Sequence, residues 1–308
     1  MEHDRPLLGV SLMLGFCIVA PMGDAVAKLL GNLVPIGEVV LIRFAIQVLL
    51  LFPLVWLQRR LWRMRGKLLW LTFVRTLLHI LGIAAMFAAL SYLPLADAVA
   101  IAFVMPFFML LLGKFVLHEE VGTRRLSACV VGFIGTLLVI QPSFATVGWP
   151  ALLPVFVAAV FSLFMLITRQ IASQTDPIGL QTVSGTMAVV IMLPLVLLGR
   201  HFDVAPLSTV PLDFTTSLLL LSLGFLGTIA HLLMTWALRF APSATLAPMQ
   251  YLEIPFATLL GLLIFGDFPN RLAAVGIAIT VLAGLYIILR ERANAQHQTA
   301  RTAQPEPA

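Results

Sequence analysis

Ten runs of mostly apolar residues follow one another along the chain and are joined by short connections. They span residues 7–28, 36–57, 68–91, 95–117, 125–141, 149–169, 178–199, 214–239, 243–265 and 271–290. Each run is close to the roughly 20 apolar residues that a helix needs to cross the hydrocarbon core of a bilayer. Because nine further runs follow the first one, and because the first lacks a small-residue cleavage site, we interpret it as a span and not as a signal peptide.

The composition agrees with a chain that lies almost entirely in lipid. Hydrophobic residues make up 60% of it and charged residues only 11%, whereas soluble domains carry about 25% charged residues. A soluble protein of this length would need far more charge on its surface. The fold class that we predict is therefore all-α integral membrane, with ten transmembrane helices.

The basic residues are distributed unevenly between the two ends of the predicted spans. One side receives thirteen Lys and Arg residues, among them the cluster RRLWRMRGK at 59–67, and the other side receives Lys28, Arg200 and Arg271. Cytoplasmic loops of membrane proteins carry such an excess, so both termini are predicted to face the cytoplasm. The net charge of +5 is then a topology signal, and we expect no nucleic-acid partner.

Two stretches in the two halves of the chain resemble each other. They are FAALSYLPLADAVAIAFVMPFF at 87–108 and WALRFAPSATLAPMQYLEIPFA at 236–257, and Pro106 matches Pro255 at a shift of 149 residues. Each half holds five spans, an odd number, so the second half must enter the membrane from the opposite face. We therefore predict two inverted five-helix repeats, 7–141 and 149–290, followed by a disordered cytoplasmic tail, 291–308.

The ordered set of motifs along both halves resembles one family of transporters. The first half carries MGDAVAKLL, PIGEVVLIRF, the intramembrane Arg75, ALSYLPLADAVAIAFVMPFF and KFVLHEE, and the second carries HLLMTWALRFAPSATLAPMQYLE, FGDFPN and GLYIILRER. Over residues 7–292 the chain is similar to the EamA-type members of the drug/metabolite transporter superfamily. The resemblance implies a multi-pass transporter of a small organic metabolite in the bacterial inner membrane.

The segments LPLADA, APMQYLE and FGDFPN are most similar to one branch of that superfamily, which includes importers of riboflavin and of S-adenosylmethionine. The resemblance therefore implies a substrate of that kind, and the two compounds stay open as alternatives. Glu253 departs from the commoner pattern of the family, in which a neutral residue is more usual at this position.

Arg75 and His79 lie inside the third apolar run, where a charged side chain costs about 2.5–3.5 kcal/mol and must face protein or water. Their spacing of four residues puts both on one face of the helix. At about 1.5 Å per residue, Arg75 lies about 10 Å and His79 about 16 Å from the predicted cytoplasmic edge. Arg75 can snorkel to the interface, and for His79 a hydrogen-bonded packing role is the alternative to a functional one.

Further charged residues lie near the predicted outer ends of the spans. Arg43 is expected to form an ion pair with an acidic group, and Glu38 is near it in sequence. Asp24 and Lys28 have the acid-before-base spacing that favours a local pair on one helix. Asp97 opens the fourth span and suits an interface or capping role.

The ninth run, with the sequence PMQYLEIPF, is the strongest pointer to a transport site. Its prolines interrupt the hydrogen bonding of the helix, and FVMPFFM has a proline at the corresponding place in the first half. Paired broken helices of this kind border the substrate sites of transporters. The predicted substrate-binding residues are Arg75, His79, Phe103, Phe107, Trp236, Gln250, Tyr251 and Glu253, and His231 is a secondary candidate.

These observations favour a secondary transporter that works by alternating access. We predict that Arg75, His79 and Glu253 face one shared polar cavity, and that the aromatic residues of the set hold a flat ring system. An intramembrane enzyme on a lipid-like substrate and a narrow channel stay open as alternatives, although the chain has no HExxH, GxxxxGK[ST] or GxSxG motif.

We expect no catalytic residue, no cofactor and no metal site. The expected partners are the small-molecule metabolite and the lipid bilayer. Proton coupling and a homodimer are left open.

Overall fold

The computed structural model of the protein describes residues 5–31, 33–59, 62–116 and 123–302, and all regular secondary structure within these ranges is helical. The α-helices are, in chain order, α1 Pro6–Leu30, α2 Ile36–Leu57, α3 Gly66–Leu90, α4 Leu95–Ala102, α5 Met105–Val116, α6 Thr123–Val147, α7 Leu153–Ala172, α8 Pro177–His201, α9 Phe214–Phe240, α10 Ser243–Leu246, α11 Glu253–Leu260 and α12 Arg271–Thr302. Shorter segments are the 3-10 turns Trp149–Leu152, Ala205–Leu207 and Ala247–Leu252 and the π-helical turn Gly261–Phe265.

Eight helical segments in the described part of the chain are long and apolar enough to cross a membrane. They correspond to the first eight predicted runs. The ninth and tenth runs contain the shorter apolar helical segments Met249–Phe265 and Arg271–Ala283. The protein is therefore a multi-pass membrane protein whose described part is all-helical, and the number of ten spans stays a prediction.

Two of the predicted spans are broken, and a proline lies at each break. α4 ends at Ala102 and α5 begins at Met105, and Pro106 has no N–H to donate to the Ala102 carbonyl. In the second half, the 3-10 segment Ala247–Leu252 separates α10 from α11, and Pro255 has no N–H for the Tyr251 carbonyl. The prediction of proline-interrupted helices at corresponding places in the two halves agrees with this backbone.

The helices pack in pairs that join the two halves of the sequence. α1 lies against α9 and α3 against α7, while α2 packs on α8, α6 on α12 and α4 on α11. Gly135 of α6 and Gly276 of α12 let these two helices approach closely, since a Cβ atom on Gly135 would lie 2.7 Å from the Gly276 carbonyl oxygen. Small residues at helix crossings allow such close approach inside membranes.

An ion pair also joins the two halves. Lys28 Nζ at the end of α1 lies 2.7 Å from Asp267 Oδ2, which follows the π-helical turn. The spacing of Asp24 and Lys28 suggested a local pair, but the structure pairs Lys28 with Asp267. Nearby, Asp97 in the first turn of α4 accepts a hydrogen bond from Ser143 Oγ at 2.9 Å.

Glu38, five residues before Arg43, bonds the backbone of a connection in the second half of the chain. Its Oε2 atom accepts a hydrogen bond from the backbone N–H of Val210 at 3.0 Å, in the connection before α9. Glu38 therefore holds the connection between α8 and α9.

The C-terminal segment differs from its prediction. Residues from 291 onward were expected to be disordered, but α12 continues to Thr302, and 303–308 lie outside the described residues. The segment ERANAQHQTART has no Pro or Gly and is rich in Ala, Arg and Gln, which are strong helix formers. Its polarity alone therefore did not decide its conformation.

Candidate functional site

A cavity lies in the middle of the helix bundle, where helices from both halves of the chain meet. Its volume is about 120 Å³, and its wall is mostly apolar. Four phenylalanine rings line it, namely those of Phe16, Phe87, Phe103 and Phe161. Four ionisable residues line it as well, namely Asp24, Arg43, His231 and Glu253.

Each ionisable residue of the cavity comes from a different helix. Asp24 lies on α1, Arg43 on α2 and His231 on α9, and Glu253 is the first residue of α11. The break before α11 therefore places an acidic residue, the first of that helix, in the cavity wall. Two carboxyl groups, one guanidinium and one imidazole converge on an apolar space that would otherwise suit only a hydrocarbon.

Arg43 is buried and packs its guanidinium over the ring of Phe44 at 4.8 Å. Gly227 of α9 makes room for it, because a Cβ atom on Gly227 would lie 2.8 Å from Arg43 Nε. Asp24 interacts with Arg43 electrostatically, but Arg43 Nη1 has no hydrogen-bond partner among the described residues. An unsatisfied buried donor costs about 1–3 kcal/mol, so a polar atom of a bound molecule would be stabilising there.

His79 lies behind the cavity wall and contacts His231. The two Nε2 atoms are 3.1 Å apart, and the ring of His79 packs on those of Phe44 and Phe164 at 5.0 and 4.7 Å. In such a contact one imidazole donates and the other accepts, so at most one of the two Nε2 atoms carries a proton. His231 therefore connects the cavity with a second buried imidazole.

Arg75 is fully buried and joins three helices without reaching the cavity. Its Nε atom donates to Thr168 Oγ1 of α7 at 2.8 Å, and its Nη1 atom donates to Ser184 Oγ of α8 at 2.9 Å. The guanidinium also stacks over the ring of Phe164 at 4.4 Å. With 0% of its surface exposed, Arg75 does not snorkel to the interface. The structure does not place it in one polar cavity with Glu253.

The four other predicted residues, Phe107, Trp236, Gln250 and Tyr251, are not among the residues that line the cavity. The Tyr251 ring packs on that of Phe103 at 5.6 Å, and Phe107 stacks on Phe133 of α6 at 5.5 Å. Gln250 Nε2 contacts the sulfur of Met165 at 3.3 Å, and Trp236 packs against the small cluster that contains Leu51 and Val55.

Phe103 and Glu253 of the predicted set line the cavity, as does the secondary candidate His231, and His79 lies one contact behind the wall through His231. Asp24 and Arg43 also line it, although their sequence positions suggested ion pairs near the outer ends of spans. The cost of a charge inside a membrane would have identified both, because it applies to them as it does to Arg75. No comparable signal marks Phe16, Phe87 or Phe161 among the many apolar residues.

Comparison with known families and proteins gives matches along the whole membrane part of the chain. The profile of the EamA-like transporter family matches twice, at residues 7–141 and 148–290. A crystal structure of a protein with 19% identity superimposes with a TM-score of 0.68, over 93% of this chain and 97% of that one. At that identity, the likeness concerns the fold alone.

Several relatives of known name align with most of the chain. A riboflavin transporter of Rhizobium johnstonii is 32% identical over 242 residues, which are 78% of each chain. An S-adenosylmethionine uptake transporter of Rickettsia felis is 25% identical, over 93% of this chain and 94% of its own. A riboflavin transporter of Vibrio cholerae is 26% identical, over 92% of this chain and 93% of its own.

Proposed function

The chain belongs to the EamA-like transporter family, and we propose that it is a secondary transporter that moves a small organic metabolite across the bacterial inner membrane. The observation that carries this proposal is the central cavity, which side chains from both halves of the chain line. Transporter relatives that cover most of the chain favour this reading over an intramembrane enzyme.

An arrangement of ten spans in two inverted repeats, 7–141 and 149–290, accounts for the helix packing. If α4–α5 and α10–α11 each count as one span, the chain has five spans in each half. A two-fold rotation then exchanges each span of the first half with the span five places later in the second half. This rotation turns the α1–α9 pair into the α7–α3 pair, and it maps α2–α8, α6–α12 and α4–α11 onto themselves. All of these pairs are in contact, which supports an inverted repeat.

The size of the cavity supports alternating access. A volume of about 120 Å³ is smaller than the roughly 300–1,000 Å³ of typical ligand pockets. A metabolite with a fused ring system therefore needs more room than the cavity offers here, and a movement of the two halves would provide it. In the proposed cycle the repeats rock about the cavity and open it to one side of the membrane at a time.

The wall of the cavity suits a flat aromatic substrate. Phe rings contribute about 0.5–1.5 kcal/mol per stacked pair beyond the area that they bury. Riboflavin and S-adenosylmethionine both carry such a ring system, and relatives of this chain are named for each. The charged side chains of the cavity favour different groups on a substrate. Arg43 suits a carboxylate, whereas Asp24 and Glu253 suit a cation.

Arg43 provides a test that separates the two substrates. S-adenosylmethionine has a carboxylate that the guanidinium can hold, whereas riboflavin has none. Arg43→Gln should therefore weaken counterflow of S-adenosylmethionine tenfold or more, as expected for the loss of a charged hydrogen bond, and should affect riboflavin much less. The assay is exchange of labelled compound into proteoliposomes. Non-saturable uptake by the wild type would contradict a carrier and favour a channel.

Glu253 is the proposed proton carrier, together with the His79–His231 pair. On this proposal Glu253→Gln abolishes accumulation driven by an imposed proton gradient but spares exchange, because exchange needs no net proton movement. Glu38→Gln is the matched control, since it removes the same charge from a carboxyl group that holds a loop outside the cavity. Wild-type accumulation by the Glu253→Gln variant across pH 5.5 to 8 would exclude this role.

A further inference from the structure

A second and larger cavity opens at the end of the bundle that carries the basic cluster. It lies between the C-terminal half of α2, residues 62–65, the start of α3 and the N-terminal half of α8, and its volume is about 500 Å³. Its floor is apolar, with contributions from Phe52, Val55, Leu69, Val183 and Met187. We refer to it as the α2–α8 groove. No residue of the central cavity lines it.

Two tryptophans place the mouth of the α2–α8 groove at the level of lipid headgroups. Trp56 and Trp62 line the groove, and 76% and 53% of their surfaces are exposed. Exposed tryptophans in membrane proteins concentrate at the boundary between hydrocarbon and headgroups, because the indole has an apolar body and a polar N–H. The groove therefore extends from this boundary into the hydrocarbon region.

The mouth of the groove is basic, and the described residues that line it include no Asp or Glu. Arg63 and Arg65 line it and are exposed, and Arg63 lies 5.7 Å from the centre of the Trp62 ring. The sequence has no Asp or Glu between Glu38 and Asp97. Among the described residues, no carboxylate lies within 4 Å of a guanidinium nitrogen of Arg63 or Arg65.

We propose that the α2–α8 groove binds one anionic glycerophospholipid of the leaflet that adjoins the basic cluster. The phosphate of the lipid lies on Arg63 and Arg65, and an acyl chain occupies the apolar floor. Basic pockets between membrane helices recognise anionic headgroups in this way, and arginine suits phosphate because its planar fork donates two parallel hydrogen bonds. Because α2 and α8 belong to different halves of the chain, the lipid contacts both halves. The proposal is independent of the transported substrate.

The test is a titration of the full-length protein in detergent with dioleoylphosphatidylglycerol, read by native mass spectrometry. We expect one saturable adduct with this lipid and none with dioleoylphosphatidylcholine at the same concentration. The variant R63Q/R65Q should bind phosphatidylglycerol roughly 30-fold more weakly, which is the contribution expected of two basic residues. The matched control is R200Q/R271Q, which removes the same charge from exposed positions outside the groove and should bind as the wild type does.

Two further measurements separate the contribution of the apolar floor to lipid binding from that of the two arginines. The Thr186→Trp variant keeps both arginines but fills the apolar floor, and it should lose the saturable adduct. Glycerol 1-phosphate should not displace the lipid at equal concentration, because it has no acyl chain. Equal binding of phosphatidylcholine, unchanged binding by R63Q/R65Q, or an adduct that Thr186→Trp retains would each overturn the proposal. Displacement by glycerol 1-phosphate would also overturn the proposal, because it would show that the groove binds phosphate without an acyl chain.

Discussion

The hydrogen bonds of Arg75 predict that lysine cannot replace it. Two separate nitrogens of the guanidinium bond hydroxyl groups on α7 and α8, and the plane of the group lies over Phe164. The ammonium of lysine is a compact charge that cannot form this fork or this stack. Arg75→Lys should therefore destabilise the protein by the worth of one charged hydrogen bond, about 1.5–3 kcal/mol, as measured by thermal unfolding in detergent.

The control for this substitution is Arg200→Lys, at an exposed position at the end of α8, which should leave the unfolding temperature unchanged. If Arg75→Lys also unfolds at the wild-type temperature, then the charge at this position matters and the geometry of the fork does not.

At the residue scale, the sequence identified which side chains are unusual but not what they contact. The cost of burying a charge marked Arg75 as a residue with a special environment, and the structure gives it one. Its partners, Thr168 and Ser184, are hydroxyl residues on other helices whose position depends on tertiary packing. Glu253 reaches the cavity as its place beside a helix-breaking proline suggested, whereas Asp24 and Arg43 were assigned to ion pairs because sequence spacing shows only local neighbours.

At the scale of elements, the crossing of α6 and α12 depends on two glycines. A Cβ atom on Gly135 would meet the Gly276 carbonyl oxygen at 2.7 Å and the Thr280 nitrogen at 3.1 Å, and a backbone cannot move aside as a side chain can. Gly135→Ala should therefore destabilise the protein by about 1–3 kcal/mol, the usual cost of overpacking, although alanine is the better helix former. Thermal unfolding in detergent measures the change.

Gly23→Ala in α1 is the matched control for that substitution. The nearest atom to a Cβ there is the Leu226 Cβ at 3.9 Å, which is an ordinary contact. This variant should be as stable as the wild type or slightly more so, because of the higher helix propensity of alanine. Equal stability of both alanine variants would mean that α6 and α12 are not held at the distance described.

The elements themselves were largely predictable, because length and apolar composition decide which segments can cross a bilayer. The positions of the breaks before α5 and α11 were predictable too, since proline lacks the donor that a continuous helix requires. The π-helical turn Gly261–Phe265 and the extension of α12 to Thr302 were not. Neither follows from hydropathy, which records how apolar a segment is but not how its backbone is bonded.

At the scale of the whole molecule, the ion pair of Lys28 with Asp267 joins the two halves at one end of the bundle. It links α1 of the first half to the turn after α11 in the second half, and Asp97 and Ser143 lie at the same end. The distribution of Lys and Arg predicts that this end faces away from the cytoplasm. Rocking of the two halves about the central cavity would have to separate these two side chains each time the cavity opens to that side.

Breaking the pair should therefore shift the protein toward the state that is open at this end. The side chains of Lys28 and Asp267 are 18% and 35% exposed, so solvent screens the pair, and its loss costs about 1 kcal/mol or less, which is a shift of about fivefold at most in the equilibrium between the two states.

The measurement is the rate at which a membrane-impermeant thiol reagent, added from that side, labels Ala102→Cys in the cavity wall of a variant without the two native cysteines. Lys28→Met and Asp267→Asn should each raise this rate, and the double variant should raise it no further than either alone, because one interaction is lost in all three. Arg200→Met removes a positive charge at the same end and should leave the rate unchanged. Additive effects of the two single variants would show that Lys28 and Asp267 act separately, and that their contact does not hold the two halves together.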